Sequence, residues 1–263
     1  MITVSNETEY PDHFVERLHT IWGEGFLSPG GPEEVREIVE GIDLVDKVVL
    51  DVGFGTGGPA IALATNHLAK KVVGIDVEPN LYDRAKKIVD QADLAENIEL
   101  KIVKPGPFPF DDETFDIVFS KDSMVQIEDK AALFTEIKRV LKPGGVFVAS
   151  DWLASDNPNE AAALDNFLGL VHWSFAMVTA RETETALKVA GFENVSTRDR
   201  NAWFADISNH EVMQIEGPLK QQLIEAVGEE LWSHWIKVKR AMADAASAGG
   251  LRPTHLRGFK PNK

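Results

Sequence analysis

Val49-Leu50-Asp51-Val52-Gly53-Phe54-Gly55-Thr56-Gly57-Gly58 is an apolar strand running into a glycine-rich turn, and Pro59-Ala60-Ile61-Ala62-Leu63-Ala64 continues it as a helix-like run. Glycine has no Cβ, so such a turn can close tightly and admit a ligand against its backbone. The next strand, Lys71-Val72-Val73-Gly74-Ile75-Asp76, ends in a carboxylate 23 residues beyond Gly53. An acidic group at that distance is placed to accept hydrogen bonds from a ribose diol, which points to a nucleoside cofactor. Gly53, Gly55 and Gly58 satisfy the dinucleotide pattern G-x-G-x-x-G, while Gly53, Gly55 and Gly57 satisfy a shorter G-x-G-x-G. The spacing alone leaves both patterns open, beside a purely structural turn in an unrelated α/β protein.

Working outward, strands alternate with helices: strand 47–52, helix 58–68, strand 71–76, helix 79–93, strand 98–103, strand 115–119, helix 129–141 and strand 145–151. This alternation predicts a Rossmann-like, doubly wound α/β sheet covered by helices on both faces. A helical lead-in over 10–25, a turn at Ser28-Pro29-Gly30-Gly31 and a helix from Glu33 to about Ile42 precede it. After Asp151 the pattern predicts helix over 157–176, helix over 180–190, strand over 192–200 and a long helical pair over 209–247. The expected organisation is an N-terminal helical lid (1–45), a cofactor-binding core (46–151), and the rest of the sheet with a helical substrate cap (152–263).

Composition bounds the function. A chain of 263 residues with 44% hydrophobic content suits one α/β domain with an embellishment. No apolar run approaches membrane-spanning length, and Met1-Ile2-Thr3-Val4-Ser5-Asn6-Glu7 is unlike a signal peptide, so the expectation is a cytoplasmic protein without a membrane partner. The absence of cysteine excludes disulfides and thiolate chemistry, and the seven histidines show no paired metal-ligand spacing, so no metal is expected. A formal charge of −15 argues against nucleic acid. Charge is uneven, however. Residues 231–263 carry seven bases against Asp244 alone, which suits either a solvated helix face or an anionic substrate group.

The order of the segments resembles class I S-adenosylmethionine (SAM)-dependent methyltransferases. Four stretches carry the likeness over 47–151: Leu50 to Gly58, Gly74-Ile75-Asp76, Phe115-Asp116-Ile117-Val118-Phe119-Ser120-Lys121-Asp122, and Val140-Leu141-Lys142-Pro143-Gly144-Gly145-Val146-Phe147-Val148. A nicotinamide-dependent oxidoreductase fits the glycines but not the last two stretches. The resemblance implies SAM as cofactor, with Asp51, Gly53, Gly55, Gly57, Asp76 and Val77 in its site. Gly25-Phe26-Leu27-Ser28-Pro29-Gly30-Gly31, the run Ser120 to Ile127, and Trp232-Ser233 through Gly258-Phe259-Lys260 look like the phosphoethanolamine N-methyltransferase group. That closer likeness puts Ser28 and Lys121 on the methionine part of SAM, with Asp122 nearby.

Departures from that group shape the substrate expectation. Its Tyr/His catalytic pair is matched here by Phe26 and Gln126, neither of which accepts a proton near neutral pH. Its phosphate-binding positions are matched by Trp152, Trp173 and Phe175, and its adenine-contacting Asp by Lys104-Pro105-Gly106. The expected substrate is a small polar metabolite with a nitrogen or sulfur acceptor, a tertiary amine or thioether being favoured because neither sheds a proton on methylation. Aromatic faces stabilise onium products by roughly 0.5–2 kcal/mol per contact. Trp22, Phe26, Trp152, Trp173, Phe175 and Trp203 are the candidates for such a cage, against the plainer reading that they fill a core. Lys237, or Lys239 or Arg240 beside it, is the candidate for a substrate carboxylate. A phosphobase N-methyltransferase and a non-catalytic SAM-binding protein remain the alternatives, as a monomer or homodimer.

Overall fold

The computed structural model describes residues 10–171 and 174–262, which form two compact units, Met1–Pro109 and Phe110–Lys263. The division follows the loop Lys104–Pro109, with prolines at 105, 107 and 109, and falls within the 46–151 segment expected as one core.

The first unit runs α1 (Asp12–Trp22), α2 (Gly31–Ile38), β1 (Val48–Val52), α3 (Gly58–Thr65), β2 (Lys71–Asp76), α4 (Pro79–Gln91) and β3 (Ile98–Ile102). Its strands are parallel in the order β3-β2-β1, with Val52 beside Ile75 and Asp76 beside Ile102. The strand–helix–strand repeat needs helices to return the chain to the same edge, which is how a parallel sheet is connected. β1 is buried along nearly its whole length, as its unbroken Val-Val-Leu run requires.

The second unit runs β4 (Phe115–Lys121), a single 3-10 turn (Met124–Gln126), α5 (Lys130–Val140), β5 (Leu141–Ala154), a second 3-10 turn (Pro158–Glu160) and α6 (Ala161–Leu168). It continues with α7 (Ala180–Val189), β6 (Glu193–Asp199), α8 (Asn201–Glu216), α9 (Lys220–Val227), α10 (Glu229–Ser247) and β7 (Leu251–Phe259). The strand order is β4-β5-β7-β6, parallel between β4 and β5 and antiparallel on both sides of β7. α7 starts on a capping box between Thr179 and Glu182.

Three expectations are corrected. The helix predicted over 157–176 is only α6, because Gly169 ends it and the chain then finds backbone partners elsewhere: Ala176 N–H donates to Val125 O at 2.7 Å and Ala154 N–H to Val178 O at 3.0 Å. The helical pair over 209–247 is three helices, since α8 stops at Gly217-Pro218 and Gly228, at φ 84°, separates α9 from α10. β7 was not anticipated at all. It contains Pro253 and lacks apolar alternation, yet it lies between two strands. Pro253 is tolerated because its carbonyl side meets Arg200 N–H at 2.8 Å, just past the end of β6, so no ladder donor is needed there.

Candidate functional site

The glycine turn is built by backbone sterics. Gly53, Gly55 and Gly57 have φ of 82°, 55° and 91°, the left-handed region that side chains disfavour. Gly53 N–H donates to Ile75 O at 2.8 Å and ties the turn to β2. Gly58 is different. A Cβ there would lie 2.5 Å from Gly25 O and 2.9 Å from Phe26 Cε2, and its N–H donates to Gly25 O at 2.9 Å. The three glycines of the shorter pattern therefore share one conformational role, whereas Gly58 exists to admit the Gly25–Phe26 segment.

Phe26 is buried, with its ring against Gly58. α1 is held on the same unit by Arg84 of α4, which donates to Glu16 at 2.6 Å and Asp12 at 3.0 Å, and by His19 Nε2, 3.0 Å from Thr56 Oγ1. Burial holds the His19 imidazole below its ordinary pKa. Trp22 and Ser28 are half-buried, and residues 1–9 of the expected lid lie outside the described residues.

Two carboxyl groups stand at this turn. Asp76 accepts Gly55 N–H on Oδ2 at 2.9 Å and Glu78 N–H on Oδ1 at 3.0 Å, with Val77 N–H adding a third bond. Each carboxylate oxygen has two acceptor directions, so lone pairs remain for a diol. Val77 itself is exposed at its side chain. Asp51, at 0% exposure, has no hydrogen-bond partner on either oxygen. Burial pushes its carboxyl up to about 8, and Asp76 nearby adds to the shift. A buried polar group without a partner costs free energy that a ligand can recover.

In the second unit, the segment after β4 is fastened to the end of β5. Asp122, at φ 56°, pairs with Lys121 at 2.9 Å in a nearly dry environment and accepts Ser150 Oγ–H at 2.7 Å. Asp151 Oδ1 accepts Val125 N–H at 2.9 Å, and Lys130 Nζ donates to Met124 O. Gln126 is half-buried at the end of that 3-10 turn. Burial pushes the Asp151 carboxyl up to about 7, against the opposing pull of Lys130. Sequence reading passed over Asp151, Ser150 and Lys130. The available signals were an acid within the apolar run of β5 and a lysine at the first position of α5, where the helix dipole disfavours a cation.

The expected aromatic cage is largely core. Trp152 is buried, with ring centroids of Phe204 at 5.4 Å, Phe175 at 6.0 Å and Phe167 at 6.4 Å around it. It belongs to one apolar cluster with Leu164, Phe167, Phe204 and Met242. Trp203 already carries a cation, the Arg200 guanidinium at 4.7 Å from its ring centre. Trp173 lies outside the described residues. Lys237 is exposed on α10, Lys239 is consumed by a buried pair with Glu211 at 3.0 Å, and Arg240 pairs with Glu216.

Residues 50–149 match a family model described as a methyltransferase domain. Phosphoethanolamine N-methyltransferase 3 of Arabidopsis thaliana is 30% identical over 86% of this chain, which covers 45% of that protein. The chain thus spans about half the length of the curated relatives it matches. A Haemonchus contortus phosphoethanolamine N-methyltransferase 2, solved with phosphomonomethylethanolamine and S-adenosylhomocysteine, superposes with TM-score 0.87 at 21% identity over 96% of this chain and 59% of that one. A provisionally assigned sarcosine dimethylglycine methyltransferase from Galdieria sulphuraria gives TM-score 0.81 at 20% identity, covering 97% of this chain and 99% of that one. The fold is the Rossmann-like α/β fold of the class I methyltransferases.

Proposed function

We propose that this chain, built on the class I methyltransferase fold, binds SAM at the glycine turn and transfers its methyl group to a nitrogen or sulfur atom of a small polar metabolite. One observation carries the cofactor reading: Asp51 is fully buried, unpartnered, and close enough to Asp76 to feel its charge. A dinucleotide would bring an anionic pyrophosphate towards these two acids. SAM brings a sulfonium and an ammonium, which suit a carboxylate, and a ribose diol, which suits Asp76. The residues present therefore fit the cofactor. Gly53, Gly55 and Gly57 would cradle it, Asp76 would take the ribose, Asp51 would answer its positive charge, and Val77 and Ser28 complete the assignment within the first unit.

SAM supplies an already activated methyl group, so the protein's task is alignment and exclusion of water, worth roughly 7–11 kcal/mol of barrier when well achieved. Gln126 orients the acceptor by hydrogen bonding and takes no proton. A tertiary amine or a thioether presents its lone pair without needing a base, which makes these the favoured acceptors. The relatives' names support the phosphobase alternative, phosphoethanolamine and its methylated forms. Transfer of labelled methyl from SAM to a panel containing phosphoethanolamine, dimethylated amines and thioethers tests the reading. Transfer to a nitrogen or sulfur acceptor is expected, and Gln126→Ala should slow it without changing SAM affinity. Activity confined to hydroxyl acceptors, or none at all, would overturn it.

A further inference from the structure

The Met124–Gln126 turn is gripped at consecutive peptide groups by two side chains and one backbone amide that do not belong to it. Asp151 Oδ1 accepts Val125 N–H at 2.9 Å, Lys130 Nζ donates to Met124 O, and the Ala176 backbone N–H donates to Val125 O at 2.7 Å. Both side chains are buried, Asp151 at 2% exposure and Lys130 at 8%. The adjoining residue Ser150 fixes Asp122 through its hydroxyl at 2.7 Å and accepts Asp122 N–H on its carbonyl at 2.8 Å. Ser150 and Asp151, near the end of β5, thus fasten the segment from Asp122 to Val125 that leads into Gln126.

We propose that Asp151 is a positioning residue for methyl transfer, holding Gln126 in place through Val125 and doing so more firmly when ionised than when protonated. The inference rests on the reading that Gln126 orients the acceptor. A carboxylate is a stronger acceptor for a backbone N–H than a carboxylic acid or an amide, so the grip tightens as Asp151 loses its proton. The charges that bear on Asp151 are Lys130 from α5, which favours ionisation, and Asp122 beyond β4, which opposes it and is itself paired with Lys121. From β7 the residue in register is the uncharged Thr254. His255, opposite Ser150, is engaged through Nδ1 with Arg198. Burial puts the transition at about pH 7, inside the working range of most enzymes. Because the carboxyl titrates upward from its ordinary value, the firm grip is present above that pH and fades below it.

The test compares wild type with Asp151→Asn, which keeps an acceptor oxygen for Val125 but never ionises, at saturating SAM. The ratio of their kcat/KM values for the acceptor cancels the acceptor's own titration. It should rise from near one at pH 6 to roughly three- to tenfold at pH 8, the span between a neutral and a charged hydrogen bond, with SAM affinity alike in both proteins. In parallel, the Val125 amide resonance should titrate near pH 7 in wild type and not in the variant. A ratio constant with pH, or an equal titration of the amide in both, would overturn the inference. A wild type that methylates no acceptor would instead refute the functional reading, and the amide resonance would still decide whether Asp151 senses pH at this turn.

Discussion

Replacing Asp51 with Asn tests the cofactor reading at its physical root. The Asp51 carboxyl is fully buried, lacks a partner, and is pushed up to about 8 from 3.8 by burial first and Asp76 second. At pH 7 a group with that pKa is about nine-tenths protonated. A ligand that needs the carboxylate must displace the proton, so SAM affinity should increase with pH by up to about tenfold per unit and level off above 8, each unit corresponding to about 1.4 kcal/mol. Calorimetry between pH 6 and 8, in buffers of different ionisation enthalpy, should show nearly one proton released per SAM bound at pH 7. Asp51→Asn should bind more weakly at pH 8 and lose most of the pH dependence. Asp76, also raised by burial, is present in both proteins and is coupled to Asp51, so the pH dependence that remains in the variant is that of Asp76 freed of this coupling. The ligand-free protein carries the opposite linkage. With the folded pKa above the unfolded one, the folded state keeps a proton that the unfolded chain releases, and this group's contribution to stability falls as pH rises from about 4 to 8. Asp51→Asn should therefore flatten that slope. A SAM affinity independent of pH in wild type, or an unchanged slope in the variant, would refute the argument.

Three further outcomes follow from the geometry. Asp76→Ala should weaken SAM binding by about 1.5–3 kcal/mol, the scale for hydrogen bonds to a charged group, and an unchanged Kd by calorimetry would remove Asp76 from the ribose. Gly58→Ala puts a methyl 2.5 Å from Gly25 O, so it should destabilise by about 1–3 kcal/mol and release amide protection over residues 25–27 in hydrogen exchange; wild-type exchange there would mean the segment is not docked on the turn. Trp152→Ala should destabilise by about 3–5 kcal/mol in chemical denaturation as a loss of core aromatic volume. Full stability with selectively weakened acceptor binding would restore the cage.

The turn from Asp51 to Gly58 and the carboxylate at Asp76 were legible in the chain because their logic is local. Three left-handed glycines and a strand-ending acid need only their near neighbours to define them. The alternating strands and helices were legible for the same reason, since period and punctuation are properties of short windows. What the order of residues did not disclose depends on partners far along the chain. Gly58 is explained by Gly25, Trp152 by Phe167, Phe175 and Phe204, and Lys239 by Glu211, each brought together only by folding. β7 carries no strand-like alternation, and its place between β5 and β6 comes from the ladder it completes on both sides. Asp51 and Asp151 read alike as acids at the ends of strands. Both are buried, and pairing separates them: one is left without a partner and the other is bonded to Val125, because pairing is set by the surroundings that tertiary structure assembles.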